Sequence, residues 1–226
     1  MKKQNWITFF VAILAIHLVS IAVKIQLVEY ITKPMIVALL VVYFLSQTGG
    51  IVSGIKKWIV SALIFSWMGD VLLMFQPNAS VFFLLGLSAF LVAHIFYIIF
   101  FHYVRVRENI KSKPLLLFIV VAYYFSLILL LSPYLGDMKL PVRVYGIVIS
   151  FMFMLAMHTL FIKNKIAGRY MVIGALLFVV SDSVLAVNKF YQPFEPAGIL
   201  IMLTYGLAQF FIAEGAIRYI TSGHKE

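Results

Sequence analysis

Two aspartates stand where a lipid-facing helix tolerates neither. Asp70 closes the stretch ALIFSWMGD and Asp182 sits inside FVVSDSVLAVNK, both within long apolar runs. A carboxylate at mid-membrane costs about 2.5–3.5 kcal/mol on insertion scales, so each asks for a compensating use. Asp70 lies 13 residues after Lys57 and Asp182 lies 13 after Arg169, each on a helix expected to run away from the same basic edge. At about 1.5 Å per residue, both sit roughly 20 Å from that edge and could share one cavity. Two carboxylates meeting in a poorly solvated place cannot both ionise easily, so one tends to hold a proton and an acid then stands beside a base. Three uses fit: acid and base catalysis, which is preferred; proton or cation transport through the pair; or helix bridging by hydrogen bonds to nearby Ser66, Ser181 or Ser183.

Other polar groups reach a similar depth. Tyr205 lies 13 residues before Arg218, Gln209 is one turn further in, and His94 lies 11 before Arg105. His94 gains interest from the two acids at its level. His17 is also mid-span but reads as structural, and His158 lies near Lys163 at the interface. Glu214 is four residues before Arg218, the spacing of a local ion pair on a helix. Glu29, Glu108, Asp137, Glu195 and Glu226 read as loop or tail residues.

The elements that position these groups follow from composition. Of 226 residues, 64% are hydrophobic and 12% charged, so a water-soluble fold has nowhere to put its apolar surface. Apolar runs close to the length that crosses a ~30 Å hydrocarbon layer recur along the chain. They give eight helical spans, at 6–23, 34–48, 58–75, 81–103, 114–131, 142–162, 170–187 and 197–216, in an all-α polytopic bundle expected to form a single transmembrane domain over 1–226. The opening MKKQNWITFF has the basic flank of a signal peptide, but its apolar run is too long and lacks a small-residue cleavage pattern, so it reads as the first span.

The net charge of +10 is an orientation signal rather than a nucleic-acid footprint. On the eight-span reading 13 Lys and Arg collect on one side, and Lys24, Lys33, Lys139, Arg143 and Lys189 make five on the other. The positive-inside rule then puts both termini in the cytoplasm. Seven spans, without 34–48 and with an external amino terminus, give the same 13 to five split. Eight is preferred because Lys2 and Lys3 flank a long span with no opposing acid, whereas Glu29 lies between Lys24 and Lys33.

All seven prolines fall at expected span ends or in loops, leaving the helices unbroken. That favours a fixed polar cavity over a carrier with helices unwound at mid-membrane. The chain has no cysteine, so disulfides, thiolate metal sites and a cysteine nucleophile are excluded. It has no GxSxG elbow, HExxH motif or glycine-rich phosphate loop, and its intramembrane histidines are single and scattered, giving no hint of a metal site. No lysine lies deep in the seventh or eighth span, which disfavours a retinal-type photoreceptor. A faint internal echo links spans three and four to seven and eight: GLSAFLVAH with GLAQFFIAE, and ALIFSWMGD with ALLFVVSD.

In chain order, ALIFSWMGDVLLMF, GLSAFLVAHIFY, LLFVVSDSVLAVNKF and TYGLAQFFIA resemble the motif series of the YhhN-like lysoplasmalogenase family of multispanning membrane proteins. The resemblance runs over spans three to eight and is most specific in SDSVLAVNKF and the Tyr-x-x-Ala-Gln pattern from Tyr205 to Gln209. It implies an eight-helix hydrolase that cleaves the vinyl ether bond of lysoplasmalogens, giving a fatty aldehyde and glycerophosphocholine or glycerophosphoethanolamine.

That reaction begins with protonation of an alkene carbon, and water captures the resulting oxocarbenium ion. It needs an acid, an anion and one water, and no cofactor, metal or covalent nucleophile. One of Asp70 and Asp182 would be the acid and the other would stabilise the cation, as paired carboxylates do in glycoside hydrolysis. Asp182 is the preferred proton carrier because Ser181 and Ser183 could orient it. The resemblance further implies that His94, Tyr205 and Gln209 line the same cavity. Asn188 and Lys189 could meet the phosphate head group, although Lys189 could equally be an ordinary interfacial lysine. The expected partners are a lysophospholipid, water and the surrounding lipids, in a bacterial inner (plasma) membrane. A proton-coupled carrier and a non-catalytic scaffold are the rival readings.

Overall fold

A computed structural model describes residues 2–76, 79 and 81–222. Among them it contains eight α-helices and no strand: α1 (Lys3–Val23), α2 (Gln26–Thr48), α3 (Lys56–Met74), α4 (Val81–Arg107), α5 (Pro114–Leu131), α6 (Lys139–His158), α7 (Lys165–Ala186) and α8 (Ala197–Ser222). Each, with the short turns that extend α5, α6 and α7, is long and apolar enough to cross a membrane. The chain is a multi-pass membrane protein.

The second span differs most from expectation. It begins at Gln26 rather than 34, runs 23 residues and carries Pro34 in its interior. Lys24, in left-handed backbone with φ 60°, closes α1, and Ile25 then opens α2 after only a two-residue reversal. Proline in a helix forfeits one hydrogen bond and crowds one carbonyl, which neighbouring helices can tolerate in a bundle. The consequence is functional: Glu29 and Lys33, read as loop residues, ride on the first turns of α2 within the bundle. The end of α7 also departs from plain helix, widening into a π turn over Val187–Tyr191 that carries Asn188 and Lys189. Such turns occur often at functional sites.

The closest-packed helix pairs are α7 with α8 and α3 with α4. Small residues let them approach, as membrane helices require when lipid offers no hydrophobic driving force. A methyl group added at Gly174 of α7 would lie 2.7 Å from the Ile212 nitrogen and 2.8 Å from the Ala208 oxygen of α8. One added at Gly69 of α3 would lie 2.6 Å from the Phe90 ring of α4. The two pairs are the same four helices that the sequence echo joined.

The end of the bundle opposite the aspartates is tied by Glu214. Its buried carboxylate accepts from Arg218 Nε at 2.5 Å, from Tyr43 Oη at 2.6 Å and from Lys3 Nζ, joining α8 to α2 and α1. The Arg218 pair expected from the spacing is therefore one part of a larger cluster. Removing one member of a buried, hydrogen-bonded cluster leaves the others uncompensated, which costs about 3–5 kcal/mol. Glu214→Ala is expected to lower the unfolding temperature of the purified protein by several degrees in a detergent melt, while Glu214→Gln, which keeps the volume and two acceptor contacts, loses less. Equal melting of Glu214→Ala and wild type would contradict this role.

Candidate active site

The two aspartates open onto one cavity of about 280 Å³, formed where α1 and α2 meet, α3 and α7 end and α8 begins. Asp70 is 2% exposed and accepts a hydrogen bond from Tyr205 Oη on its Oδ2 at 2.7 Å. The Asp182 side chain is 15% exposed and accepts from Tyr145 Oη on its Oδ2 at 2.5 Å. Each carboxylate thus has one oxygen engaged by a tyrosine and keeps lone-pair capacity on the other.

His94 stands beside Asp182, with Nε2 3.9 Å from Oδ2. Its Nδ1 faces the Phe90 carbonyl at 2.7 Å, and because a carbonyl can only accept, Nδ1 carries hydrogen. Nε2 of the neutral ring is then a bare acceptor turned toward the acid, and it has no hydrogen-bond partner among the described residues. The arrangement is crossed: α4 brings His94 to the aspartate of α7, and α8 brings Tyr205 to the aspartate of α3. Phe178 of α7 packs edge-on against His94 (4.6 Å between centroids), Tyr205 (5.5 Å) and Phe90 (6.4 Å), walling the site with aromatic rings.

Asp182 is also where the character of the lining changes. The shared cavity is the more polar side, with His17, Glu29, Lys33 and Gln76 on its walls. On the other side, Asp182 and Tyr145 border two narrow apolar clefts of about 40 Å³ each. One runs between α4, α6 and α7 past Phe83, Leu87, Val142 and Phe190; the other lies against α5 past Leu127 and Ile128. Of these three spaces, Asp70 borders the polar cavity and neither cleft. The division separates a region suited to a charged group from an apolar one, with Asp182 at the junction and Asp70 on the polar side.

The remaining expected residues are placed unevenly. Gln209 does not line the cavity: it is fully buried one turn deeper, where Tyr97 Oη donates to its Oε1 at 2.5 Å. His94 reaches the site through Asp182 rather than as a wall of the cavity. Ser181 lines the cavity, but its hydroxyl donates to the Ile201 carbonyl at 3.0 Å; that of Ser183 donates to the Val179 carbonyl at 2.6 Å and meets Tyr123 at 2.8 Å. Neither serine orients Asp182, nor does Ser66 bond Asp70: Ser183 returns its hydroxyl to the preceding turn, Ser181 spends its own on a carbonyl of α8, and tyrosines from other helices reach the acids. Asn188 lines the cavity while its Oδ1 accepts from the Phe194 backbone at 3.1 Å. Lys189 is exposed, with its ammonium 4.9 Å from the Phe83 ring at the mouth of the apolar cleft.

Tyr145, Lys33, Glu29, Gln76 and the cavity-lining face of His17 were not legible as site residues. Depth measured from the lysines of the other edge carries a signal for two of them. Tyr145 is six residues after Lys139 and His17 is seven before Lys24, while Asp182 is seven before Lys189.

A family model described as the YhhN family matches residues 28–216. Human lysoplasmalogenase TMEM86B is 35% identical over 166 residues, covering 73% of this chain and 66% of the human protein. The rat lysoplasmalogenase TMEM86B is 31% identical and covered over 64% of its length, so the chain spans just under two thirds of these relatives. The lysoplasmalogenase of Mycobacterium tuberculosis is 27% identical over 163 residues, 71% of this chain and 60% of that protein. No solved structure matches the chain.

Proposed function

The chain belongs to the YhhN family, and from that premise we propose that it is a membrane-embedded hydrolase cleaving the vinyl ether bond of lysoplasmalogens to a fatty aldehyde and a glycerophospho-base. The relatives' shared name favours hydrolysis over proton-coupled transport. The observation that carries the reading is the position of Asp182 at the junction of a charged cavity and apolar clefts, with Asp70 on the cavity side. In a lysoplasmalogen the scissile bond lies at that same boundary between head group and chain.

The geometry supports a division of labour. Protonation must reach the alkene carbon one bond beyond the ether-bearing carbon, on the hydrocarbon side. Asp182 borders the apolar clefts and Asp70 does not, so Asp182 is the proton donor, through the oxygen that Tyr145 leaves free. Its proton forms the new C–H bond and leaves an oxocarbenium ion. Asp70, held by Tyr205, faces that cation and takes a proton from the water that adds to it. The hemiacetal then collapses: the glycerol oxygen departs with the proton from Asp70, and the hemiacetal hydroxyl returns its proton to Asp182. Both carboxyls end as they began, and no other reactant is consumed. Purified protein in detergent is expected to release aldehyde from 1-alkenyl-glycerophosphocholine; a well-folded protein that releases none would overturn the assignment.

The same reading gives the cavity a side. It opens at the end bearing Lys24, Lys33, Lys139, Arg143 and Lys189, and the 12 other Lys and Arg among the described residues belong to the other end. By the positive-inside rule the cavity faces away from the cytoplasm and both termini lie on the cytoplasmic side. The chain has no cysteine, so single substitutions report cleanly. In intact cells an impermeant maleimide is expected to label Lys139→Cys and to leave Lys111→Cys unlabelled until the membrane is permeabilised. The reverse pattern would contradict this orientation.

A further inference from the structure

The polar arm of the cavity holds charged groups that the acid chemistry leaves unused. Glu29 and Lys33 stand one turn apart on α2 and both line the cavity with Asp70. Among the described residues Lys33 has no carboxylate within 4.0 Å, so this half-buried cation is not committed to an ion pair.

His17, on the opposing wall, is 1% exposed. Thr32 spends its only hydroxyl hydrogen on the Val28 carbonyl at 2.7 Å, so its oxygen can only accept from His17 Nδ1, also at 2.7 Å. Among the described residues Nε2 of the neutral ring is left with a lone pair and no partner, and Gln76 Oε1 on the same cavity finds none there either. Buried acceptors without donors are unfavourable unless a ligand completes them.

We propose that this arm is a head-group subsite in which Lys33 binds the phosphodiester of the substrate, while His17 Nε2 accepts from the hydroxyl left free on the glycerol. The proposal rests on the hydrolase reading above and adds the residue that selects a phosphorylated head. Lys33 is a positioning residue: it lies on the polar side of the junction and holds the lipid so that the vinyl ether meets Asp182.

The test compares wild type, Lys33→Met and Lys33→Arg on two substrates, 1-alkenyl-glycerophosphocholine and phosphate-free 1-alkenylglycerol. For Lys33→Met the ratio of kcat/KM between the two substrates is expected to fall about 10- to 100-fold, the worth of a charge-assisted hydrogen bond, mostly through KM. Lys33→Arg is expected to recover most of it. Glycerophosphocholine is expected to compete in wild type and to weaken in Lys33→Met by a similar factor, with inorganic phosphate a poorer competitor. An unchanged ratio would overturn the role of Lys33, and inorganic phosphate competing as well as glycerophosphocholine would assign the site to free phosphate instead of a lipid head. Absence of aldehyde from wild type on both substrates would contradict the hydrolase reading itself and this subsite with it, an outcome distinct from aldehyde with an unchanged ratio.

Discussion

Asp182→Asn is expected to lower kcat for vinyl ether cleavage about a thousandfold, within the ~10²–10⁴ range that a positioned general acid contributes. Carbon is a poor proton acceptor, and an amide has no proton acidic enough to transfer to it. The substitution is nearly isosteric, and the Tyr145 hydroxyl that now donates to Oδ2 at 2.5 Å can donate to the amide oxygen instead. Folding and substrate binding should therefore survive: the melting temperature stays near that of wild type and KM moves little, while kcat and kcat/KM fall together, the signature of an interaction used in the transition state. Steady-state aldehyde release at matched folded yield reads this directly. A variant retaining more than a tenth of wild-type kcat would remove Asp182 from the chemistry.

Asp70→Asn is expected to lower kcat about a hundredfold, because an anion facing the developing oxocarbenium ion is worth most where charge appears and water is scarce. Asp70 is almost completely buried and its Oδ2 is held by Tyr205, so the charge is fixed before the reaction and need not reorganise during it. Tyr205→Phe should give a smaller loss, about tenfold, by freeing the carboxylate to turn. The double variant should be no worse than Asp70→Asn alone, since the tyrosine acts through the aspartate. Fully multiplicative losses would show that Tyr205 works by another route, and an Asp70→Asn enzyme with wild-type kcat would leave Asp182 acting without an anionic partner.

How far the molecule could be read from its residues depended on what each signal measures. Apolar run length placed all eight helices, because crossing hydrocarbon demands it. The same measure misread the start of α2: Glu29 and Lys33 lowered the hydropathy of a segment that is helical because those side chains face a polar cavity. Asp70 and Asp182 were legible because a carboxylate in an apolar run has few innocuous explanations. Tyr145 and Tyr205 contact them in the same manner, yet a tyrosine in a membrane helix is unremarkable by itself, and Tyr205 drew attention through its depth before Arg218 and the family pattern. The serines beside Asp182 misled for a local reason: adjacent residues on a helix point in different directions, and both hydroxyls are spent on backbone carbonyls, that of Ser183 on Val179 in its own helix and that of Ser181 on Ile201 in α8. Depth along the axis put Gln209 near the site, but a turn of helix separates it from the cavity, where it pairs with Tyr97.

The central claim is that the reaction begins by protonating carbon, and its most direct measurement is hydrolysis of 1-alkenyl-glycerophosphocholine by the purified protein in D₂O, with the aldehyde trapped at once and weighed by mass spectrometry. The account predicts a fatty aldehyde carrying one deuterium on the carbon next to the carbonyl, formed by wild type and lost in Asp182→Asn. An aldehyde without deuterium at that carbon, or none from a folded wild-type protein, would contradict it.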